Sequence, residues 1–320
     1  MGWSSRVLGV AGGAVVVRVG PVPESFASGL AEGLGARLVE GFVKVFPDGE
    51  VYVRLPGEVE GSTAVIVFTG YPEPTQRLWE AVLAVEAARG LGAEHVVVVA
   101  AYTPYARQDR RFLRGEPVSV RALFYSLAAS GAEAFVTVDI HKTVSLQWFP
   151  GPAVNVDPAP AFAEKLRPLL EGREKVYVIA PDQGAVGRAK SLAERLGAPF
   201  DYLEKVRDRV TGEIVLRPKL VDVSGAAVVL IDDIVSTGGT MAKAARMLYE
   251  QGAEVVIAAA THGLFAGEAL EKMRKAGIVH ILVADTVKAP EDVDVASVGR
   301  LAADAVKSVL EAVAGYESEG

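Results

Sequence analysis

The sequence predicts an α/β fold built from two tandem, similar domains with mostly parallel sheets. Three observations carry this. Short β-branched runs alternate with longer amphipathic stretches, the runs are continuously apolar, and fragments recur at offsets of about 160 residues. Continuous Val/Ile runs suit strands buried on both faces, and their alternation with helix-length stretches suits βαβ units. The expected strands are Ala64–Phe68, His95–Ala101, Ala134–Val138, Val176–Ala180, Ala226–Ile231 and Glu254–Ala260. Between them lie helical stretches such as Pro74–Gly90, Val118–Ser130, Ala161–Leu170, Gln183–Leu196 and Thr240–Gln251. The repeats are Gly92-Ala93-Glu94 with Gly252-Ala253-Glu254, Leu34-Gly35-Ala36 with Leu196-Gly197-Ala198, and Ala64–Phe68 with Ala227–Ile231. Each match is cheap alone, and the similar offsets point to duplication. Pro150-Gly151-Pro152 reads as the linker, so the expected halves are 1–150 and 151–320, with the C-terminal helix free to pack on the first.

Composition narrows the function. The chain has 320 residues, about two domains' worth. It is 50% hydrophobic and 23% charged, which supports packed cores rather than disorder. Cysteine is absent, which excludes disulfide scaffolds, thiolate metal sites and Cys catalysis. A net charge of −7 argues against a general nucleic-acid binder, which needs a basic face for phosphates. No stretch reaches the ~18 apolar residues of a membrane span, so no membrane partner is expected. Val7–Val17, broken at Gly12-Gly13 and closed by Arg18, reads as two short strands rather than a signal-peptide core. The expected location is the cytoplasm.

Duplication makes differences informative, because ligands gather at the carboxyl ends of strands in α/β sheets. The first copy ends its strand in Phe68-Thr69-Gly70, whereas the second runs through Asp232-Asp233 into Ser236-Thr237-Gly238-Gly239-Thr240 and a helix from about Met241. Glycines let backbone N–H groups converge, the helix terminus adds positive partial charge, and three hydroxyls add donors. Asp232 and Asp233 would repel a phosphate but suit sugar hydroxyls or a hydrated divalent metal beside it. The pattern describes a sugar-phosphate pocket. An ordinary capped turn rarely needs two acids and three hydroxyls.

Val228–Thr240 resembles the phosphoribosyl-diphosphate loop shared by type I phosphoribosyltransferases and ribose-phosphate diphosphokinases. The resemblance implies phosphoribosyltransferase-type domains, with Asp232, Asp233 and Ser236, Thr237, Gly238, Gly239 and Thr240 holding ribose 5-phosphate. No Gly-Lys dipeptide exists, so the chain has no ATP P-loop.

Other segments separate the two families. Four arginines fall between Arg107 and Arg114, in a loop past the strand His95–Ala101 that can clamp a polyphosphate. Tyr105-Ala106-Arg107-Gln108-Asp109 resembles the diphosphokinase nucleotide segment, which implies that Arg107 and Gln108 contact ATP. Phe46-Pro47-Asp48-Gly49-Glu50 reads as a turn between strands. It also resembles the family's adenine loop, implying that Phe46, Asp48, Gly49 and Glu50 complete the ATP site of a neighbouring subunit in a homo-oligomer. Asp139-Ile140-His141 and Pro181-Asp182-Gln183-Gly184 both follow buried strands. Resemblance implies that His141 and Asp182 serve Mg²⁺, a hard cation for which a carboxylate is the more natural ligand. After the short strand Pro199–Leu203, alternation puts Lys205 and Arg207 on one side of an extended chain. They resemble the family's catalytic K-x-R arm, where paired cations stabilise a transferring diphosphoryl group and Arg207 also meets ribose 5-phosphate. Two departures stand out: Ser236 occupies a place where many relatives carry Asp, and Gln183 and Ala185 soften a more Gly-rich pattern.

The resemblance spans the chain in matching order. It implies a transferase that moves the diphosphoryl group of MgATP to the 1-hydroxyl of ribose 5-phosphate, giving 5-phosphoribosyl 1-diphosphate and AMP.

Overall fold

The computed structural model describes residues 13–207, 214–219 and 221–318, which divide into two compact units. The first takes the chain up to Asp157 together with Asp285–Lys288 and the segment from Ser297 onward; the second takes Pro158–Ala284 and Ala289–Ala296.

The first unit contains β1 (Ala14–Arg18), α1 (Glu24–Leu34), β2 (Arg37–Glu40), β3 (Phe42–Val45), β4 (Val51–Arg54), β5 (Thr63–Thr69), α2 (Pro74–Gly90), β6 (His95–Tyr102), α3 (Ser119–Ala129), β7 (Ala134–Val138) and β8 (Ala153–Val156). Its parallel six-stranded sheet runs β2-β1-β5-β6-β7-β8. The second unit contains α4 (Ala159–Leu170), β9 (Val176–Ala180), α5 (Val186–Leu196), β10 (Phe200–Arg207), β11 (Ile214–Pro218), β12 (Ala227–Val235), α6 (Gly239–Glu250), β13 (Val255–Gly263), α7 (Ala269–Lys275), β14 (His280–Ala284) and β15 (Asp294–Ala296). Its sheet runs β11-β10-β9-β12-β13-β14-β15, antiparallel only between β10 and β11. The last helix, α8 (Gly299–Ser318), belongs to the first unit.

The two sheets correspond strand for strand once the hairpin β3–β4 and the strand β11 are set aside. The repeated sequence fragments form the same local structure. Gly35 and Gly197 cap α1 and α5 in left-handed conformation, and the following Ala36 and Ala198 donate back to Ala31 and Ala193. Gly92 and Gly252 have φ 86° and 87°, and the Ala93 and Ala253 amides donate back to Ala88 and Leu248. The central strands β5, β6 and β7 are buried throughout or nearly so, as their predominantly apolar runs require. In the first core Phe124 packs edge-on against Phe135, ring centroids 4.9 Å apart.

Most boundaries shift by one to three residues, and four differences are structural. Pro150-Gly151-Pro152 is not the link between units: it leads into β8, whose pairing with β7 keeps residues to Asp157 in the first unit. β12 continues through Asp232 and Asp233 to Val235, because β13 extends alongside it to Gly263. β10 likewise runs to Arg207 because β11 pairs with it from Ile214. Gln183–Ala185 form a 3₁₀ turn ahead of α5, with the Asp182 carboxylate accepting from the Gly184 amide. Of the two strands expected over Val7–Val17, the second is β1; the first lies outside the described residues.

Candidate functional site

In the second unit β10, β9 and β12 are parallel neighbours, so their carboxyl ends lie side by side. Those ends carry Lys205 and Arg207, Asp182, and Asp232 with Asp233, respectively. The grouping is a direct product of βαβ topology, which sends each strand in the same direction.

At the end of β12, Gly238 adopts φ 72° and serves as the N-cap of α6 with no side-chain cap. The first-turn N–H groups of α6 therefore lack a side-chain acceptor, and the exposed Thr237 and Thr240 and half-buried Ser236 bring hydroxyls to the same turn. That arrangement suits a phosphate. The turn is braced by the segment after β13: the Leu264 and Phe265 amides donate to the Val235 carbonyl, and Ala266 donates to that of Ser236 at 2.8 Å.

The two acids differ. Asp233 is buried, whereas Asp232 is half-buried and accepts the Asp233 amide at 2.9 Å. Burial first, then the Asp233 carboxylate, pushes Asp232 up to about 8, against a smaller opposing pull from Arg188. Arg188, in the first turn of α5, lies 3.6 Å from the Asp233 carboxylate. Asp182 is exposed, with one oxygen committed to Gly184.

Lys205 and Arg207 lie in β10 opposite Leu216 and Ile214 of β11. Buried Asp201 accepts from the Tyr202 and Val221 amides, at 2.8 and 3.1 Å, which ties the two ends of this antiparallel arm together.

In the first unit, the β6 and β7 ends are also adjacent. Past β6 the exposed Arg107 is followed by Gln108, whose side-chain oxygen accepts from the Ser119 hydroxyl at 2.8 Å. Farther along, Glu116 accepts the Phe112 and Leu113 amides and so closes the arginine loop. His141 follows β7, partly exposed. Phe46, Asp48, Gly49 and Glu50 form the tip of the β3–β4 hairpin, which pairs with neither large sheet. Val43 and Val53 pack on the first core, while Phe46 is 38% exposed, with Lys44 4.7 Å above its ring. Asp48 accepts the Glu50 amide at 3.1 Å, so part of its carboxylate already serves the turn.

The expected site residues thus fall at three places: the adjacent strand ends of the second unit, the neighbouring ends of β6 and β7 in the first, and the separate tip of the β3–β4 hairpin. Among the described residues, no three His, Asp or Glu side chains gather as a metal site. Asp182 by itself still offers the hard oxygen that Mg²⁺ prefers, and Mg²⁺ commonly binds through one or two carboxylates plus substrate phosphates. The sequence reading missed Arg188 and the bracing segment Gly263–Ala266. A single arginine on an amphipathic helix gives no signal, and the bracing uses only backbone groups.

The family model for the N-terminal domain of ribose phosphate pyrophosphokinase matches residues 16–131, and that for the phosphoribosyl transferase domain matches 159–297. A ribose-phosphate pyrophosphokinase of Methanopyrus kandleri is 42% identical over 281 residues, covering 88% of this chain and 94% of that protein. One from Aeropyrum pernix is 39% identical over 271 residues, covering 84% and 87%. The crystal structure of phosphoribosylpyrophosphate synthetase from Mycobacterium smegmatis matches with a TM-score of 0.81 at 27% identity, covering 95% of this chain and 99% of that one. Two matched domains in the right order and relatives aligned along most of their length establish that this chain is an enzyme of the ribose-phosphate pyrophosphokinase family.

Proposed function

We propose that the enzyme transfers the diphosphoryl group of MgATP to the 1-hydroxyl of ribose 5-phosphate. The anomeric oxygen attacks the β-phosphorus, the bond from that phosphorus to the AMP oxygen breaks, and the hydroxyl proton is released. The products are 5-phosphoribosyl 1-diphosphate and AMP. The observation that carries this reading is the uncapped amino end of α6 beside the half-buried Asp232: one cradle for a phosphate, one acid for sugar hydroxyls.

Ser236, Thr237, Gly238, Gly239 and Thr240 would hold the 5-phosphate, and Asp232 with Asp233 the ribose side. Phe46, Asp48, Gly49 and Glu50 would bind adenine, with Arg107 and Gln108 on the nucleotide. Lys205 and Arg207 would stabilise negative charge on the transferring group, with Arg207 also touching the sugar phosphate. Asp182 would hold Mg²⁺, which when bound neutralises phosphate charge, and His141 is assigned to the Mg²⁺–nucleotide side as well. The exposed hairpin tip supports a homo-oligomer in which Phe46, Asp48 and Glu50 complete a neighbour's site. Among the described residues no helix is long and apolar enough to cross a membrane, and we assign the reaction to the cytoplasm.

The test is AMP formation from MgATP by the purified chain, with and without ribose 5-phosphate. Sugar-dependent AMP with matching 5-phosphoribosyl 1-diphosphate supports the reading. Consumption of 5-phosphoribosyl 1-diphosphate with a free nucleobase, and no AMP from ribose 5-phosphate, would replace it with a phosphoribosyltransferase.

A further inference from the structure

Arg188 has no place in the residue roles above, yet its position needs an explanation. It sits in the first turn of α5, where the helix dipole disfavours a cation, and no acidic side chain in that turn offsets it. Its side chain is only 16% exposed, and that of its partner Asp233 is 7% exposed. A largely buried cation in an unfavourable helix position is retained only if a compensating charge holds it. That charge is Asp233, at 3.6 Å, and the Asp233 amide in turn donates to the Asp232 carboxylate at 2.9 Å. The three residues form a line from α5 through the buried acid to the half-buried one.

The line solves an electrostatic problem. Two neighbouring carboxylates repel, and burial sharpens the repulsion, so the pair stays ordered only with a counter-charge or a shared proton. A guanidinium on the Asp233 side fixes which acid is committed to the protein. The other acid is then left for a ligand.

We infer that Arg188 is a positioning residue for the sugar-phosphate site, acting through Asp233 to hold Asp232 in the orientation that meets the sugar hydroxyls. The inference rests on the assignment of ribose 5-phosphate to the α6 cradle. It assigns Asp233 a supporting role and leaves Asp232 as the acid that meets sugar. Without Arg188, the two acids relieve their repulsion by parting or by sharing a proton differently, and either change spoils the acceptor geometry of Asp232. The nucleotide groups are on other elements, so the loss falls on the sugar.

Calorimetric binding of ribose 5-phosphate, and separately of MgATP, to the full chain tests this without requiring turnover. Arg188→Gln should weaken ribose 5-phosphate by about ten- to a hundredfold, as for leaving a buried polar group without its partner, and leave MgATP binding unchanged. Arg188→Lys keeps the charge and should recover most of the affinity. Because Arg188 acts through Asp233, the double variant Arg188→Gln/Asp233→Asn should bind no worse than Arg188→Gln alone. Equal weakening of both ligands, failure of Lys to restore affinity, or losses that multiply in the double variant would each overturn the inference. Where Arg188→Gln does not fold, Arg188→Lys combined with Asp233→Asn carries the same cycle, and multiplying losses again count against it. Wild type that binds ribose 5-phosphate but makes no AMP removes the proposed reaction and leaves this comparison standing. Wild type that binds no ribose 5-phosphate removes both.

Discussion

A Cβ at Gly238 would lie 2.7 Å from the carbonyl oxygen of Ala269, so the first residue of α7 closes the space behind the cradle. Position 238 therefore needs glycine twice, for its φ of 72° and for this contact. Gly238→Ala should cost about 1–3 kcal/mol locally and displace the turn rather than unfold the unit. Steady-state kinetics should show a raised KM for ribose 5-phosphate with KM for MgATP nearly unchanged. A variant with wild-type kinetics would mean that the turn tolerates another path.

Asp232 makes stability fall as pH rises. Its folded-state value is pushed up to about 8, by burial and then by Asp233, while an unfolded Asp titrates near ~3.9. Between those values the folded state holds the extra proton, so unfolding releases it and raising the pH favours unfolding. The slope from one such group is at most about 1.4 kcal/mol per pH unit. Asp232→Asn removes it. The Tm of the variant should drop less than that of the wild type between pH 5 and pH 8, and parallel curves would contradict the shift.

Lys205→Ala should lower kcat by about 10²–10³ and change substrate affinity little, as expected for charge matched to the transition state. Initial rates with both substrates at saturation provide the check. A kcat within a few-fold of wild type removes Lys205 from the chemistry.

If the hairpin tip serves a neighbour, two differently inactive subunits should rescue each other. Phe46→Ala/Glu50→Ala mixed with Lys205→Ala/Arg207→Ala, after dissociation and reassembly, should regain activity at sites that draw one intact group from each chain. Native mass spectrometry establishes whether mixed oligomers form. Mixed oligomers as inactive as their parents would exclude the shared site.

The strands were the most legible part of the sequence. Ala134–Val138 and Val176–Ala180 are short, predominantly apolar runs bounded by charged residues or proline, and both match their observed bounds. Pro74–Gly90 matches too, since Pro at the first helical position and the Gly-rich stop mark its ends. Strands with polar ends were less legible. The apolar strand runs stop at Ile231 and Leu203, before Asp232, Asp233, Lys205 and Arg207, yet pairing with β13 or β11 carries the strands through them. Local composition does not encode a partner strand that lies elsewhere in the chain. The sugar-phosphate cradle was readable because glycines, hydroxyls and acids are contiguous there. Arg188 was not, because its role arises only when α5 is laid beside β12.

The docking of α8 sets an order of completion during synthesis. Within the first unit α8 lies along α1 so closely that a Cβ at Gly33 would fall 2.5 Å from that of Ala303, and it also packs on β7 and β8. In the second unit α4 packs in the same way on α5, β14 and β15. But α4 precedes the strands it covers, whereas α8 follows every strand of its unit. The unit that begins first is finished last. At ~5–20 residues per second, β1 waits tens of seconds for its covering helix while the other unit is already closing. During that interval the α1 face carries apolar surface with nothing over it. The first half of the nascent chain therefore keeps the surface that α1, β7 and β8 give to α8 uncovered until Gly299 and the residues after it have emerged.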